Sequence, residues 1–200
     1  GFVILGLAAA SGAVAAGQAV TDPARVVSVL ANGQMALNGA MFVMISHGLI
    51  SPLLFFLVGS VLYERAHTRM MDEMGGFYTK VPVAATILAF AAFANLGLPG
   101  LSGFVGEFFT LVGSFPIYTT VTILAALALI VTAAYHLWMM QRVLMGPPRS
   151  EERYPDIDGR ELAVGVPLMA LIVLLGVYPA LLQGLTNPSV VQLMTNLGGM

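Results

Sequence analysis

The sequence predicts an all-α membrane protein: a polytopic transmembrane helix bundle with one broken helix. Three observations predict it. Of 200 residues, 58% are hydrophobic and only 9% charged, against about 25% charged in an ordinary soluble domain. The eight Lys/Arg and ten Asp/Glu fall into three polar segments with a single exception. The intervals between those segments reach the roughly 20 apolar residues that a helix needs to cross a hydrocarbon core. So little charge excludes a soluble enzyme, a nucleic-acid binder, which needs a basic face, and a disordered chain. With no Cys, disulfides, thiolate zinc sites, iron–sulfur ligation and thiol catalysis are excluded too.

The elements follow from where the charges stop, within one transmembrane domain over 1–200. The first helix covers about 1–17. It opens at Gly1 without an initiator Met and without the basic start of a signal peptide. The expectation is the later part of a helix that begins upstream. Asp22 and Arg25 mark the segment 18–35, read as a loop, and a second helix follows over 36–63. Pro52 should kink it and loosen the backbone near His47. Glu64, Arg65, Arg69, Asp72, Glu73 and Lys80 fill the loop 64–81. The next apolar stretch is too long for one straight span and reads Asn95-Leu-Gly-Leu-Pro-Gly-Leu-Ser-Gly103 at its centre. Pro99 lacks a donor and disfavours helix at Leu98, so two half-helices are expected, 82–97 and 102–115. Gly97, Gly100, Gly103 and Gly106 equally suit a close-packing face, and both readings stand. A fourth span covers 118–141. The loop 142–162 holds Arg142, Arg149, Glu151, Glu152, Arg153, Asp156, Asp158, Arg160 and Glu161, and the last span is 163–185. Loops 64–81 and 142–162 carry three and four Lys/Arg, which places both on the cytoplasmic side. Segment 18–35 and the tail 186–200 then face outward.

The exceptional charge is Glu107. An acid at a membrane helix centre costs roughly 2.5 to 3.5 kcal/mol to insert, so it persists where something uses or solvates it. It suits a proton carrier, because its charge state responds strongly to neighbouring charges in low dielectric. A protonated spacer hydrogen-bonded across a helix interface is the structural alternative. Lying some eight residues past the break, about 12 Å along a helix, Glu107 is expected in the outer half of the membrane, unless the half-helices overlap. His47 lies mid-helix between Ser46 and Gly48, and suits either a proton relay or a neutral interhelical hydrogen bond. His136 is expected near the cytoplasmic end of its span beside Trp138, facing the interface. His67 is expected solvated or capping in its charged loop. With Ser46 and Ser102 these two are secondary candidates. Three His on three segments have no metal-ligand spacing. No phosphate-binding loop, nucleophile elbow or paired carboxylates occur, so no metal, cofactor or redox chemistry is assigned to this chain.

The ordered set Met44-Ile-Ser-His-Gly-Leu-Ile50, Tyr63-Glu-Arg-Ala-His-Thr-Arg69, Gly75-Gly76, Gly97-Leu-Pro-Gly100 and Phe104-Val-Gly-Glu-Phe108 resembles the antiporter-like membrane subunits of respiratory complex I, over about 1–185. The resemblance implies two inverted five-helix repeats, each with a broken helix, of which this chain resembles the C-terminal five helices. It places Glu107 at the essential acid of the second broken helix and His47 on the polar axis of the membrane arm. It further implies a proton-translocating subunit of NADH:quinone oxidoreductase in a bacterial plasma membrane. Neighbouring antiporter-like subunits and lipid would be its partners, with NADH, FMN, iron–sulfur clusters and quinone on other subunits. Related subunits usually carry Lys where this chain has Glu107, which favours the subunit M (chain 4) branch. His136 departs from the small polar residue common there. A subunit of a multisubunit sodium/proton antiporter is the alternative, and a purely structural bundle is a further one.

Overall fold

A computed structural model describes residues 1–148 and 154–198. Arg149, Glu151, Glu152 and Arg153 of the third polar segment lie outside the described residues. Among those described there are helices and connections and no strands. They are α1 Phe2–Ala19, α2 Pro23–Phe55, a π-helical segment Phe56–Leu62, α3 Tyr63–Ala66, α4 Phe77–Lys80, α5 Pro82–Asn95, α6 Ser102–Ser114, α7 Thr119–Val143, α8 Gly159–Val177 and α9 Ala180–Gly198. Four stretches are long and apolar enough to cross a membrane: Phe2–Ala19, Pro23–Ala66, Thr119–Val143 and Gly159–Val177.

The second helix starts thirteen residues before the expected position 36, at Pro23. The signal is chemical. The Asp22 side chain accepts from Ala24 N–H at 3.0 Å, and Pro23 occupies the first turn, where its missing N–H costs nothing. The segment 18–35 is therefore mostly helix. The helix continues without a loop into the π segment and α3, 44 residues in all. Pro52 is accommodated, and the departure from α geometry falls at Phe56–Leu62 rather than beside His47. His67 ends α3 with a left-handed φ of 51°.

The last span is also revised. It stops at Val177, and Pro179 precedes a further helix, α9, where a tail was expected. Asn187 and Pro188 make α9 look like a loop, but its polar groups have partners. The Asn187 carboxamide oxygen accepts from Gln34 at 2.8 Å and from Asn38 at 3.0 Å. Val190 and Met194 pack with Ala10, Val14 and Leu37.

Both charged segments lie at one end of the bundle. Arg142 pairs with Asp72 at 2.7 Å, and Arg65 with Glu161 at 2.8 Å. The Arg65 fork spans both Glu161 oxygens and also donates to the carbonyls of Val61, Pro155 and Asp156. Asp156 in turn accepts from Val83 and Ala84 N–H at 2.8 and 3.0 Å, covering the start of α5. Asp158 and Glu161 form a reciprocal capping box at the start of α8. At the other end, Gln18 donates to the Gly198 carbonyl.

Contact within the bundle rests on small residues, as expected where lipid tails are as apolar as the core. A Cβ on Gly6 would stand 2.6 Å from the Ala36 carbonyl oxygen, and one on Gly106 2.8 Å from Val43 N. One on Gly113 would stand 2.6 Å from the Asn32 carbonyl oxygen. These approaches run α6 antiparallel along α2, with Ser102 beside Ser46 and Gly113 beside Asn32 and Ala36. The largest apolar core lies around Leu53, Leu57, Leu88, Leu144 and Ile172.

Candidate functional site: a helix break with a folded-back acid

The break sits between α5 and α6. Helix α5 ends at Asn95, two residues before the expected 97, in a Schellman motif. Leu98 N–H reaches back to the Phe93 carbonyl at 3.1 Å and Gly97 N–H to Ala94 at 3.3 Å. The motif needs a left-handed residue, and Gly97 supplies it with φ 79°. Gly100 follows with φ 93°, and Pro99 stands between them. Helix α6 restarts at Ser102, and Gly103 lies against the Ala94 carbonyl, where no side chain would fit. Gly176 of α8 packs on the backbone of Gly100 and Leu101. The glycines thus serve both readings: Gly97 and Gly100 break the helix, and Gly103, Gly106 and Gly113 pack it.

Glu107 is not displaced toward the outer side as the linear count suggested. Its carboxylate lies against Gly97, where a Cβ would collide with it. Two causes act together. The half-helices overlap, and helical side chains lean toward the N-terminus of their own helix. The acid therefore folds back onto the break.

One small cavity of about 50 Å³ is lined by Val43, Ser46, His47, Ile50, Ala94, Asn95, Gly103 and Glu107. Three of the candidates from the sequence, Glu107, His47 and Ser46, meet there. Ser102 joins them through Ser46, the two buried hydroxyls lying 2.8 Å apart. The His47 Nε2 is 3.0 Å from Ser51 Oγ on its own helix. A cavity of this size with polar groups on its wall has room for water, and water beside a carboxyl and an imidazole can move protons between them.

His136 is corrected. It does not face the membrane interface; its residue is 6% exposed, with Nε2 2.8 Å from Asn95 Nδ2 and Nδ1 2.9 Å from the Thr132 carbonyl. Trp138, two residues on, is the exposed one, with the Arg142 guanidinium over its ring. His67 stands apart, in the charged end of the bundle beside a separate cavity with Thr68, Glu73, Lys80 and Tyr154. Asn95 is the member that sequence reasoning missed. It carries no formal charge, and only its place at the last helical position before a Gly-Leu-Pro-Gly break could have marked it. Among the described residues no group of three or more His, Asp or Glu is arranged to hold a metal ion.

Fold and cavity together define a polytopic membrane protein whose broken helix presents a half-buried acid to a polar cavity. A family model described as NADH:quinone oxidoreductase/Mrp antiporter, transmembrane, matches residues 24–133, and the chain belongs to that family. It is an integral membrane protein. It is 45% identical over 172 residues to NADH-quinone oxidoreductase subunit M of Rhodobacter capsulatus, covering 85% of this chain and 33% of that one. It is 41% identical over 160 residues to NADH-ubiquinone oxidoreductase chain 4 of Arabidopsis thaliana, covering 79% of this chain and 32% of that one. A chain of respiratory complex I from Thermus thermophilus with bound NADH superimposes with a TM-score of 0.67 at 26% identity, covering 100% of this chain and 44% of that one. The Mrp complex from Dietzia sp. shares the fold, with a TM-score of 0.69 at 18% identity over 98% of this chain and 46% of that one. The chain spans about a third of the length of the curated relatives it matches.

Proposed function

We propose that this chain is part of a proton-translocating membrane subunit of an NADH:quinone oxidoreductase, of the subunit M type, in a bacterial plasma membrane. The observation that carries the reading is the Glu107 carboxylate folded back against Gly97 in a cavity shared with His47. The identity to subunit M relatives supports the choice of complex. Neighbouring membrane-arm subunits are its partners, and NADH, flavin, iron–sulfur and quinone chemistry belongs to other subunits.

In this reading the cavity does the work of proton exchange. Glu107 takes up a proton from cavity water, holds it as the neutral acid, and releases it when a nearby charge changes. A unit charge arriving about 10 Å away at an effective dielectric near 20 is worth roughly 1.7 kcal/mol. That changes the protonation equilibrium by more than about tenfold. Charge movements driven by quinone reduction elsewhere can therefore load and unload this acid without contact. His47, on the cavity wall, exchanges protons with Glu107 through water. Ser46 and Ser102 hold α2 and the start of α6 in register, which keeps the two groups on one cavity.

The test is Glu107→Gln in the whole complex. Assembly and NADH oxidation should persist while the protons moved per electron fall several-fold. An assembled Glu107→Gln complex with unchanged stoichiometry overturns the proposal. The family description also names Mrp antiporters. A sodium-dependent proton flux that runs without NADH or quinone would move the assignment to that alternative.

A further inference from the structure

The mechanism above leaves one buried titratable group unused. His136 is held at both ring nitrogens. The Thr132 carbonyl can only accept, so Nδ1 carries a hydrogen. In the neutral ring Nε2 then accepts from the Asn95 amide N–H at 2.8 Å. Asn95 is also a wall of the Glu107 cavity. Asn95 thus bonds an imidazole on α7 and borders the cavity that holds a carboxyl on α6.

We infer that His136 and Glu107 share one proton, with Asn95 as the positioning residue whose amide turns over as the proton changes sides. This rests on the reading of Glu107 as a proton carrier. When His136 is neutral, the Asn95 amide nitrogen faces Nε2 and the amide oxygen is free to accept from a protonated Glu107, directly or through cavity water. When the proton leaves the Glu107 oxygen and arrives on His136 Nε2, that nitrogen becomes a donor. The amide must then present its oxygen to the ring, and its N–H₂ turns toward the cavity and donates to the carboxylate. Each state satisfies every group, and the pair is neutral overall in both, acid plus imidazole in one and carboxylate plus imidazolium in the other. Mixed states leave two donors or two acceptors facing one another, which is costly in a low-dielectric site.

Two imidazoles border the Glu107 cavity by different routes: His47 of α2 lines it directly and is held by Ser51 on its own helix, whereas His136 reaches it through Asn95. Helix α7 packs on α5 and α6. Helix α5 contains no titratable residue, and α6 contains Glu107 alone. On α7 itself, the Tyr135 ring lies 4.4 Å from the imidazole, and Arg142 is engaged by Asp72 nearly two turns on.

The experiment follows the infrared carboxylic-acid C=O stretching band of Glu107 against pH in the whole purified complex, with the band assigned by its loss in Glu107→Gln. Coupled groups titrate in macroscopic steps that belong to the pair. The parent should lose the band in more than one step. His136→Gln, which still accepts a hydrogen bond but cannot titrate, should lose it in one step fewer, and so should Asn95→Leu. His136→Asn serves as the second variant if His136→Gln fails to assemble. Identical band titrations in the parent and the His136 variants overturn the inference. A step lost in the His136 variants but retained in Asn95→Leu overturns the part given to Asn95. This readout is separate from pumping stoichiometry, so failure here and failure of the Glu107 proposal are distinguishable.

Discussion

Gly97 and Glu107 are one unit. The left-handed φ of 79° excludes side chains at roughly 1–2 kcal/mol, and the space a methyl would need is filled by the Glu107 carboxylate. Gly97→Ala should therefore lower proton pumping as severely as removing the acid, with a stability loss of only a few kcal/mol, measured as pumping per electron beside a thermal melt in detergent. A melt that drops with pumping intact would show that the carboxylate does not need the break. Glu107 itself was legible in the sequence, as the one formal charge outside the polar segments. Its position was not, because a residue count cannot tell whether half-helices overlap and leaves out the backward lean of helical side chains. Asn95 and the burial of His136 were illegible for a related reason. Charge counting sees neither a neutral amide nor which way a helix face turns.

At the scale of elements, the broken helix was readable from Pro99 and its glycines, whereas the early start of α2 and the existence of α9 were not. Segmenting by hydropathy discards amides such as Gln34, Asn38 and Asn187, whose polarity is answered only by partners distant in sequence. The α2–α6 contact gives a sharp prediction. Gly106→Val puts bulk where Val43 N is 2.8 Å from a Cβ, and overpacking costs roughly 1–3 kcal/mol. The expected result is a lower detergent melting temperature and weakened pumping together. The clamp at Arg65 gives another. Its guanidinium grips both Glu161 oxygens and acts by charge on Asp156. Burial opposes ionisation of Asp156, but N–H groups of Val83, Ala84 and Ile157 and the charge of Arg65 outweigh it and lower its pKa. Asp156 thus binds protons less readily folded than unfolded. Its stabilisation is present above the ordinary carboxylate range and is lost as pH falls through and below it. Melting temperature should fall on acidification below about pH 4. In Arg65→Ala that acid dependence should shrink, on a base stability lower by about 3 kcal/mol. An acid limb of unchanged slope in Arg65→Ala would refute the clamp's part in it.

For the whole molecule, the charge pattern and the fold agree on which ends belong together. Arg65, Asp72, Arg142 and Glu161 are joined at one end, while Gln18 meets Gly198 at the other. The chain contains no Cys, so single cysteines introduced into it report sidedness cleanly. Met70→Cys should be labelled from the cytoplasmic side by a membrane-impermeant maleimide, and Val20→Cys from the opposite side. Labelling of both from one side would refute the five-crossing arrangement. The α2 stretch passes through the whole of this arrangement, and its π segment has an angular consequence. His47 and Arg65 are separated by five full α-helical turns, so an unbroken α-helix would aim both the same way. Bonds that close one residue later wind more slowly, which turns Arg65 off the azimuth of His47. One continuous helix can then point its middle at the break in α5–α6 and its end at α8. Deleting a single residue from 56–62 would swing Arg65 by about 100° and send its guanidinium away from Glu161.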